Sequence, residues 1–277
     1  MEKELVTQLN ALAHANRLDL FRLLVRRYPA GVPAGEIATA LDFKPNTASA
    51  YLATLKQADL IRQERQGTSL IYSANLDGVR GLFGGLLTGC CQNRPDICHS
   101  LASAPIAQPT PERPLKVLFL CTGNSARSIL AEALLRREGA GKFQVFSAGT
   151  RPASKPSPVV LQLLQSKGYD TSELNSKQRE VYAGPEAPKM DFIFTVCDHA
   201  ANEECPTWPG QPMSAHWGLS DPLKAQGSEA ERHLALLEAY ATLKTRIKSF
   251  AALPFDTLDR ISLQHQTDAI GGQIATN

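Results

Sequence analysis

The chain has 277 residues, of which 43% are apolar, and a formal net charge of +2. This length predicts about two globular domains, and so small a net charge argues only weakly for nucleic-acid binding. No apolar run approaches the ~18 residues of a membrane span, and the N-terminus Met1-Glu-Lys-Glu lacks the pattern of a signal peptide. We therefore expect a cytoplasmic protein in reducing surroundings, whose six cysteines serve metal or redox chemistry rather than structural disulfides.

The first hundred residues predict a small helical domain that ends in a β-hairpin. Apolar periodicity predicts helices over 5–13, 16–27, 34–41 and 46–58, and a hairpin over 62–72 with its tip at Gln66-Gly67. Two short helices joined by a tight turn and followed by a hairpin are typical of a winged helix-turn-helix. We assign residues 1–100 to this domain.

The helix over 46–58 has the pattern of a helix that reads DNA. Leu52 and Leu55 are expected to face the core, so the short polar side chains near the helix N-terminus face outward, where they suit contacts with base edges and phosphates. Arginines of the hairpin can reach phosphates. The expected DNA-binding residues are Lys44, Asn46, Thr47, Ser49, Tyr51, Arg62 and Arg65. The alternative is a winged helix that serves only for protein contact.

A family resemblance rests on two stretches of this domain. Leu12-Ala-His-Ala-Asn-Arg-Leu-Asp-Leu-Phe-Arg-Leu-Leu, followed by 46–60, resembles the ArsR/SmtB family of metal-responsive repressors over most of 5–98. The resemblance implies a dimer that binds palindromic operator DNA and releases it when a metal or metalloid binds. The chain departs from the family at Ala50-Tyr51, where a basic or histidine pair is usual. The operator sequence therefore does not carry over.

Three cysteines after the hairpin, Cys90, Cys91 and Cys98, predict a site for a soft ion. Three thiolates in a pyramid suit arsenite, a soft trivalent centre with a lone pair. The resemblance supports this reading, since some arsenite-sensing members carry a cysteine pair and a third cysteine in this region. Zinc or cadmium is an alternative, with His99 or His14 as a fourth ligand. A third possibility is that the three cysteines are buried and serve only the packing of the domain.

Residues 101–114 contain four prolines and predict a semi-stiff linker to a second domain at 115–253. Strands are predicted over 115–120, 143–147 and 190–196, and helices over 128–138, 157–167 and 229–253. We expect one more helix in the tail, 254–277. Alternating strands and helices predict an α/β domain with a parallel sheet, so Cys121 and Cys197, at the C-terminal ends of strands, are expected to converge.

The most informative stretch is the anion-binding loop, residues 121–127, which begins with Cys121 and ends with Arg127. Strand, loop and helix N-terminus in that order direct unpaired amides at a bound oxyanion, and the helix and arginine favour a partly ionised thiol. The expected oxyanion-binding residues are Thr122, Gly123, Asn124, Ser125, Ala126 and Arg127. Asp221, in Asp221-Pro222, is the expected acid that protonates a leaving oxygen.

The loop and Asp221-Pro222 together resemble the low-molecular-weight tyrosine phosphatase fold over about 115–252. Three features favour the arsenate reductases of this fold over its phosphatases. The loop contains the run Thr-Gly-Asn-Ser-Ala, Cys197 and Cys205 supply two more thiols, and Leu223-Lys-Ala stands where phosphatases commonly carry an aromatic residue. Phosphoryl transfer needs one thiol, whereas reduction of arsenate takes two electrons and so forms a disulfide.

On this resemblance, Ser128 helps to keep Cys121 ionised, and Cys121 attacks arsenic. Cys197 then displaces arsenite, and Cys205 takes over the disulfide. Thioredoxin is the expected reductant. Because the spacing between Cys197 and Cys205 is one residue longer than in thioredoxin-linked members, glutaredoxin with a small thiol stays open. We expect no tightly bound cofactor, although Glu132 and Ser147 lie where some relatives hold potassium.

The sequence thus predicts a fused arsenic-resistance protein, an arsenite-responsive repressor joined to an arsenate reductase. Its expected partners are operator DNA, arsenate, arsenite as inducer, a thioredoxin-like reductant and a second copy of the chain, with no membrane. Two alternatives stay open. One is a tyrosine phosphatase fused to a DNA-binding adaptor, and the other is a repressor whose second domain senses arsenic or redox state without turnover.

Overall fold

A computed structural model of the chain describes residues 2–86, 109–184, 186–203, 208 and 212–273. The chain divides into two compact units, residues 1–103 and 104–277. The predictions made for Cys90, Cys91, Cys98 and Cys205 lie outside the described residues, as does most of the predicted linker.

The first unit is a winged helix-turn-helix, as predicted. Its helices are α1 (Glu2–Leu12), α2 (Ala15–Arg27), α3 (Ala34–Ala40), α4 (Pro45–Gln57) and α5 (Leu76–Gly85), and its strands are β1 (Val32–Pro33), β2 (Ile61–Gln66) and β3 (Ser69–Ala74). The strands form an antiparallel sheet in the order β1-β3-β2. Leu52 and Leu55 of α4 face the core, as expected, packed with leucines of α2. The two-residue strand β1 was not predicted.

The second unit is an α/β domain whose described strands are all parallel, which confirms the predicted fold class. Its strands are β4 (Leu115–Cys121), β5 (Phe143–Gly149), β6 (Phe192–Thr195) and β7 (Met213–His216). They pair in the order β5-β4-β6-β7. The helices are α6 (Arg127–Glu138), α7 (Pro158–Ser166), α8 (Asp198–Asn202), α9 (Glu229–Ala251) and α10 (Arg260–Gly271).

Strand β4 lies inside the sheet because nearly all its side chains are apolar. Val117 and Phe119 face the main hydrophobic cluster, which includes residues of α6 and α9, whereas Leu118 and Leu120 face a smaller cluster. A strand buried on both faces is typical of parallel sheets. In the register of the sheet, Cys121 lies opposite Gly149 and Leu120 opposite Thr195. The C-terminal ends of three strands therefore meet beside Cys121.

Helix α10 covers the edge strand β7. Gln264 Nε2 donates to the Ser214 carbonyl at 2.8 Å, and Trp217 Nε1 donates to the Thr267 carbonyl at 2.9 Å. An edge strand with unpaired backbone groups is a site for unwanted pairing, and a covering helix prevents it. Across the described ranges, no helix combines the length and apolar character that crossing a membrane requires.

Candidate active site

The anion-binding loop is held from outside through its carbonyl oxygens. The carbonyls of Cys121, Thr122, Gly123 and Ser125 accept hydrogen bonds from the backbone amides of residues 150, 151, 153 and 157, at 2.8–3.1 Å. Asn124 has a positive φ of 42°, which turns the loop back on itself. Gly149 makes this approach possible, since a Cβ there would lie 2.6 Å from the Thr122 oxygen. The segment after β5 thus fixes the loop conformation.

The thiol of Cys121 is buried at the start of this loop. Its Sγ lies 2.9 Å from Ser128 Oγ and accepts a hydrogen bond from the Asn124 amide at 3.0 Å. Burial raises the pKa of the Cys121 thiol, while the bonds from Ser128 and Asn124 oppose the rise. The direction of this shift is therefore opposite to the predicted one, because desolvation outweighs the hydrogen bonds that favour thiolate.

Asn124 connects the thiol to a buried carboxylate. Its Nδ2 donates to Ser128 Oγ at 2.9 Å and to Ser147 Oγ at 2.8 Å, and the Ser147 hydroxyl donates to Glu132. Asn124, Ser128 and Ser147 have no exposed surface, and Glu132 is 1% exposed. This arrangement leaves the Ser128 hydroxyl hydrogen available to Cys121. It also shows that the Asn124 side chain supports the loop.

Arg127 and Asp221, both predicted at the site, form an ion pair. Arg127 Nη2 lies 2.8 Å from Asp221 Oδ2, and Arg127 Nη1 donates to the Leu219 carbonyl at 2.9 Å. Asp221 Oδ1 also accepts from the Leu223 amide. The guanidinium charge is thus already paired with the expected acid.

Cys197 lies at the same end of the sheet as Cys121, as predicted. It caps the N-terminus of α8, its Sγ accepting from the Ala200 amide at 3.4 Å. The same Sγ lies 3.4 Å from the hydroxyl of Thr122 in the anion-binding loop, and Cys197 is 1% exposed. Two buried free cysteines therefore converge on the loop.

His216, which no sequence motif singles out, connects two elements next to Cys197. Its Nδ1 lies 2.8 Å from Thr195 Oγ1, and its Nε2 lies 2.9 Å from Asp198 Oδ1. Gly218 allows this contact, because a Cβ there would lie 2.5 Å from the His216 ring. No sequence signal reveals the group, since its members belong to β6, α8 and β7.

A cleft of about 550 Å³ opens between the Asp221 segment and α9. Its lining includes Leu219, Asp221, Pro222, Lys224, Glu238 and Thr242. Within the described residues, no aromatic side chain lines it. The place where an aromatic residue was expected in a phosphatase is taken by Leu223, which is 41% exposed.

The expected DNA-binding residues lie on α4 and the hairpin of the first unit. Lys44, Asn46, Ser49, Arg62 and Arg65 are exposed and Thr47 is half-buried, although Arg62 pairs with Asp77. Tyr51 is half-buried, and its ring packs against His14 and Phe43. Five of the seven expected positions are therefore exposed, whereas Thr47 and Tyr51 are half-buried.

Comparison with protein families matches each unit separately. A model described as low molecular weight phosphotyrosine protein phosphatase matches residues 116–260, more than half of the chain. A model described as a helix-turn-helix domain matches residues 12–64.

Curated relatives match about half of the chain. An arsenate reductase of Halalkalibacterium halodurans is 34% identical over 135 residues, which are 49% of this chain and 94% of the relative. An arsenate reductase of Bacillus subtilis is 32% identical over the same shares. Among solved structures, an arsenate reductase from Archaeoglobus fulgidus is 26% identical with a TM-score of 0.38, covering 50% of this chain and 99% of that one. Half of this chain thus accounts for nearly all of each relative.

Proposed function

This chain belongs to the low molecular weight phosphotyrosine protein phosphatase family, and we propose that it reduces arsenate and, through its winged helix-turn-helix, represses transcription until arsenite binds. The curated relatives named arsenate reductase support the reaction. The observation that carries the proposal is the convergence of two buried thiols, Cys121 and Cys197, on one anion-binding loop. A phosphatase needs only the first of them.

The reaction begins when the oxyanion replaces Asp221 as the partner of Arg127. Loop amides and the guanidinium bind arsenate, and the released Asp221 is free to turn toward the leaving oxygen. The Cys121 thiolate, supported by Ser128 and the Asn124 amide, attacks arsenic. A sulfur–arsenic bond forms, and one arsenate hydroxyl leaves as water, with Asp221 passing to it the proton that the Cys121 thiol gives up.

The second thiol supplies the remaining electrons. Cys197 attacks Cys121 Sγ, the sulfur–arsenic bond breaks, and arsenic keeps the electron pair and leaves as arsenite. The product is a Cys121–Cys197 disulfide. Cys205 then attacks Cys197 by thiol–disulfide exchange, which frees Cys121. An external dithiol such as thioredoxin, or glutaredoxin with a small thiol, returns the Cys197–Cys205 disulfide to two thiols.

Stoichiometry without an external reductant tests this sequence of steps. Pre-reduced protein mixed with arsenate should release one arsenite per chain and lose two thiols. Cys197→Ser should release none, whereas Cys205→Ser should release one but stop with Cys121 oxidised. A Cys90→Ser/Cys91→Ser/Cys98→Ser variant is the matched control and should form the same total amount of arsenite, because it lacks only the thiols proposed to bind the product.

The outcome that favours the phosphatase is equally specific. Efficient hydrolysis of an aryl phosphate that persists in Cys197→Ser/Cys205→Ser, together with no arsenite from any variant, would replace the reductase by a phosphatase. Multiple turnovers with thioredoxin, thioredoxin reductase and NADPH would exclude a domain that only senses arsenic.

We assign the first unit to operator DNA on the strength of its exposed polar side chains on α4 and the hairpin. Among solved structures, a homodimeric winged helix-turn-helix domain from Mycobacterium bovis, described as a possible ArsR-family regulator, is 27% identical with a TM-score of 0.27. It covers 37% of this chain and 89% of that one. Our proposal includes dimerisation and an arsenite site at Cys90, Cys91 and Cys98, so that the second unit makes the ligand that the first unit senses.

Operator release tests the regulatory half. Arsenite should dissociate the wild-type protein from DNA carrying its own promoter, while the triple serine variant should stay bound. The Cys121→Ser variant is the control, because it removes a thiol of the other unit. A triple serine variant that still releases DNA would overturn the proposed arsenite site.

A further inference from the structure

We propose that the ammonium of Lys177 takes the place of a monovalent cation beside the anion-binding loop, so that the loop is organised by the chain's own charge and binds no potassium. Glu132 and Ser147 are the side chains at which the family resemblance leaves a potassium site open. The donors around these two residues do not fit that ion here. Lys177 is therefore a positioning residue for the loop, and this role does not depend on which oxyanion the loop binds.

Glu132 is the buried charge that needs a partner. One carboxylate oxygen, Oε1, lies 2.6 Å from Arg136 Nη2, and the other, Oε2, accepts from the Ser147 hydroxyl. Lys177 Nζ lies 3.8 Å from Oε2 and donates to the Asn175 carbonyl at 3.0 Å. A carboxylate and a backbone carbonyl are oxygen ligands of the kind that a monovalent cation uses. The ammonium thus lies between two such ligands.

The side-chain oxygens of Ser147 and Asn124 beside Glu132 are already used. Ser147 Oγ donates to Glu132 and accepts from Asn124 Nδ2, and Asn124 Oδ1 accepts from the Lys177 amide at 2.7 Å. Asn124 therefore presents its NH2 group, not its oxygen, toward Ser147. A potassium ion would have to displace these hydrogen bonds and the ammonium together.

The charges also balance without a metal. Arg136 is shared between Glu132 and the exposed Glu173, while Lys177 offsets the rest of the Glu132 charge. Burial raises the pKa of Glu132, and both Lys177 and Arg136 act to lower it again. Burial lowers the pKa of Lys177, and Glu132 opposes that shift. Each group thus favours the charged form of the other, and an added cation would repel the ammonium.

Lys177 also holds the loop through its backbone. Its amide donates to Asn124 Oδ1, and its carbonyl accepts from the Gly149 amide at 2.8 Å. Asn124 in turn contacts Ser128, which contacts Cys121. Because the Asn124 amide also donates to Cys121 Sγ, a single hydrogen-bonded residue separates Lys177 from the nucleophile.

Thermal unfolding followed by tryptophan fluorescence tests the proposal without using activity. Both tryptophans, Trp208 and Trp217, belong to the second unit, so the signal reports this domain alone. At equal ionic strength, the wild-type Tm in KCl should match that in tetramethylammonium chloride within about 1 °C. Lys177→Met should unfold about 4 °C lower, and KCl should restore part of the loss.

Two variants test whether the effect comes from a positive charge at position 177 or from the loss of any lysine. Lys177→Arg keeps a cation beside Glu132 and should retain most of the wild-type Tm and its indifference to potassium. Lys142→Met removes an exposed lysine of the same unit and should behave as wild type in both salts. Alkylation of Cys121 by iodoacetamide should change rate in Lys177→Met and recover toward wild type in KCl.

A wild-type Tm that rises by about 3 °C or more in KCl over tetramethylammonium chloride would show a bound potassium ion and overturn the proposal. A Lys177→Met variant whose Tm does not respond to potassium would overturn it as well, because the vacated position would then not be a cation position. Neither result bears on arsenate reduction, so this proposal and the proposed function fail separately.

Discussion

Replacement of Asn124 by alanine should lower the stability of the second unit far more than the loss of one small side chain suggests. The side chain is fully buried and makes three hydrogen bonds, to Ser128, Ser147 and the Lys177 amide, at 2.7–2.9 Å. Each such bond contributes about 1 kcal/mol net, and alanine at φ 42° adds about 1 kcal/mol of backbone strain. We expect Asn124→Ala to lower the free energy of unfolding by about 4 kcal/mol.

Urea unfolding followed by fluorescence of the buried Trp217 measures this loss. Asn124→Gly is the matched control, since it removes the same hydrogen bonds but tolerates the positive φ, and it should recover about 1 kcal/mol. A loss below about 1 kcal/mol for Asn124→Ala would refute the reasoning, because the three bonds would then contribute almost nothing. Equal losses in the two variants would show that the backbone at this position is not strained.

Three further predictions concern the same loop. Because burial raises the Cys121 pKa, the rate at which iodoacetamide alkylates Cys121, measured by peptide mass spectrometry, should keep rising above pH ~8.5, the usual pKa of a cysteine. Ser128→Ala removes a hydrogen bond that opposes this shift and should move the pH–rate profile to higher pH. Gly149→Ala places a Cβ against the loop backbone and should cost about 1–3 kcal/mol in urea unfolding, and an unchanged midpoint would mean that the loop can shift. Asp221→Asn frees Arg127, so phosphate should inhibit arsenate reduction at a lower concentration, while the turnover rate with arsenate falls about 10²-fold or more. Weaker inhibition by phosphate would contradict the pairing of Arg127 with Asp221.

Much of the fold could be predicted because local patterns agree with it. The apolar run at 115–120 and the helix that follows the loop gave the strand–loop–helix unit to within one residue at the strand. Two strands were missed for physical reasons. Strand β1 has only two residues and exists through its pairing with β3, and β7 follows a stretch with Pro209 and Pro212, which argues against a strand.

The sequence could predict which residues form the site, but not how their charges pair or how the pKa of the thiol shifts. Sequence order placed Cys121 and Cys197 at neighbouring strand ends, since parallel strands bring their C-terminal ends together. It could not show that Arg127 pairs with Asp221, because the partners are far apart in the chain and either could face solvent. The pKa of Cys121 is raised by burial among residues from several elements, which no local motif encodes.

The ion pair and the raised thiol pKa have separate causes in the same site. Arg127 pairs with Asp221, whereas burial raises the pKa of the Cys121 thiol. An anion bound in the loop would compete with Asp221 for the guanidinium and so release the carboxylate beside the bound oxygens. Asp221 should therefore be free to act as the acid only when an oxyanion occupies the loop.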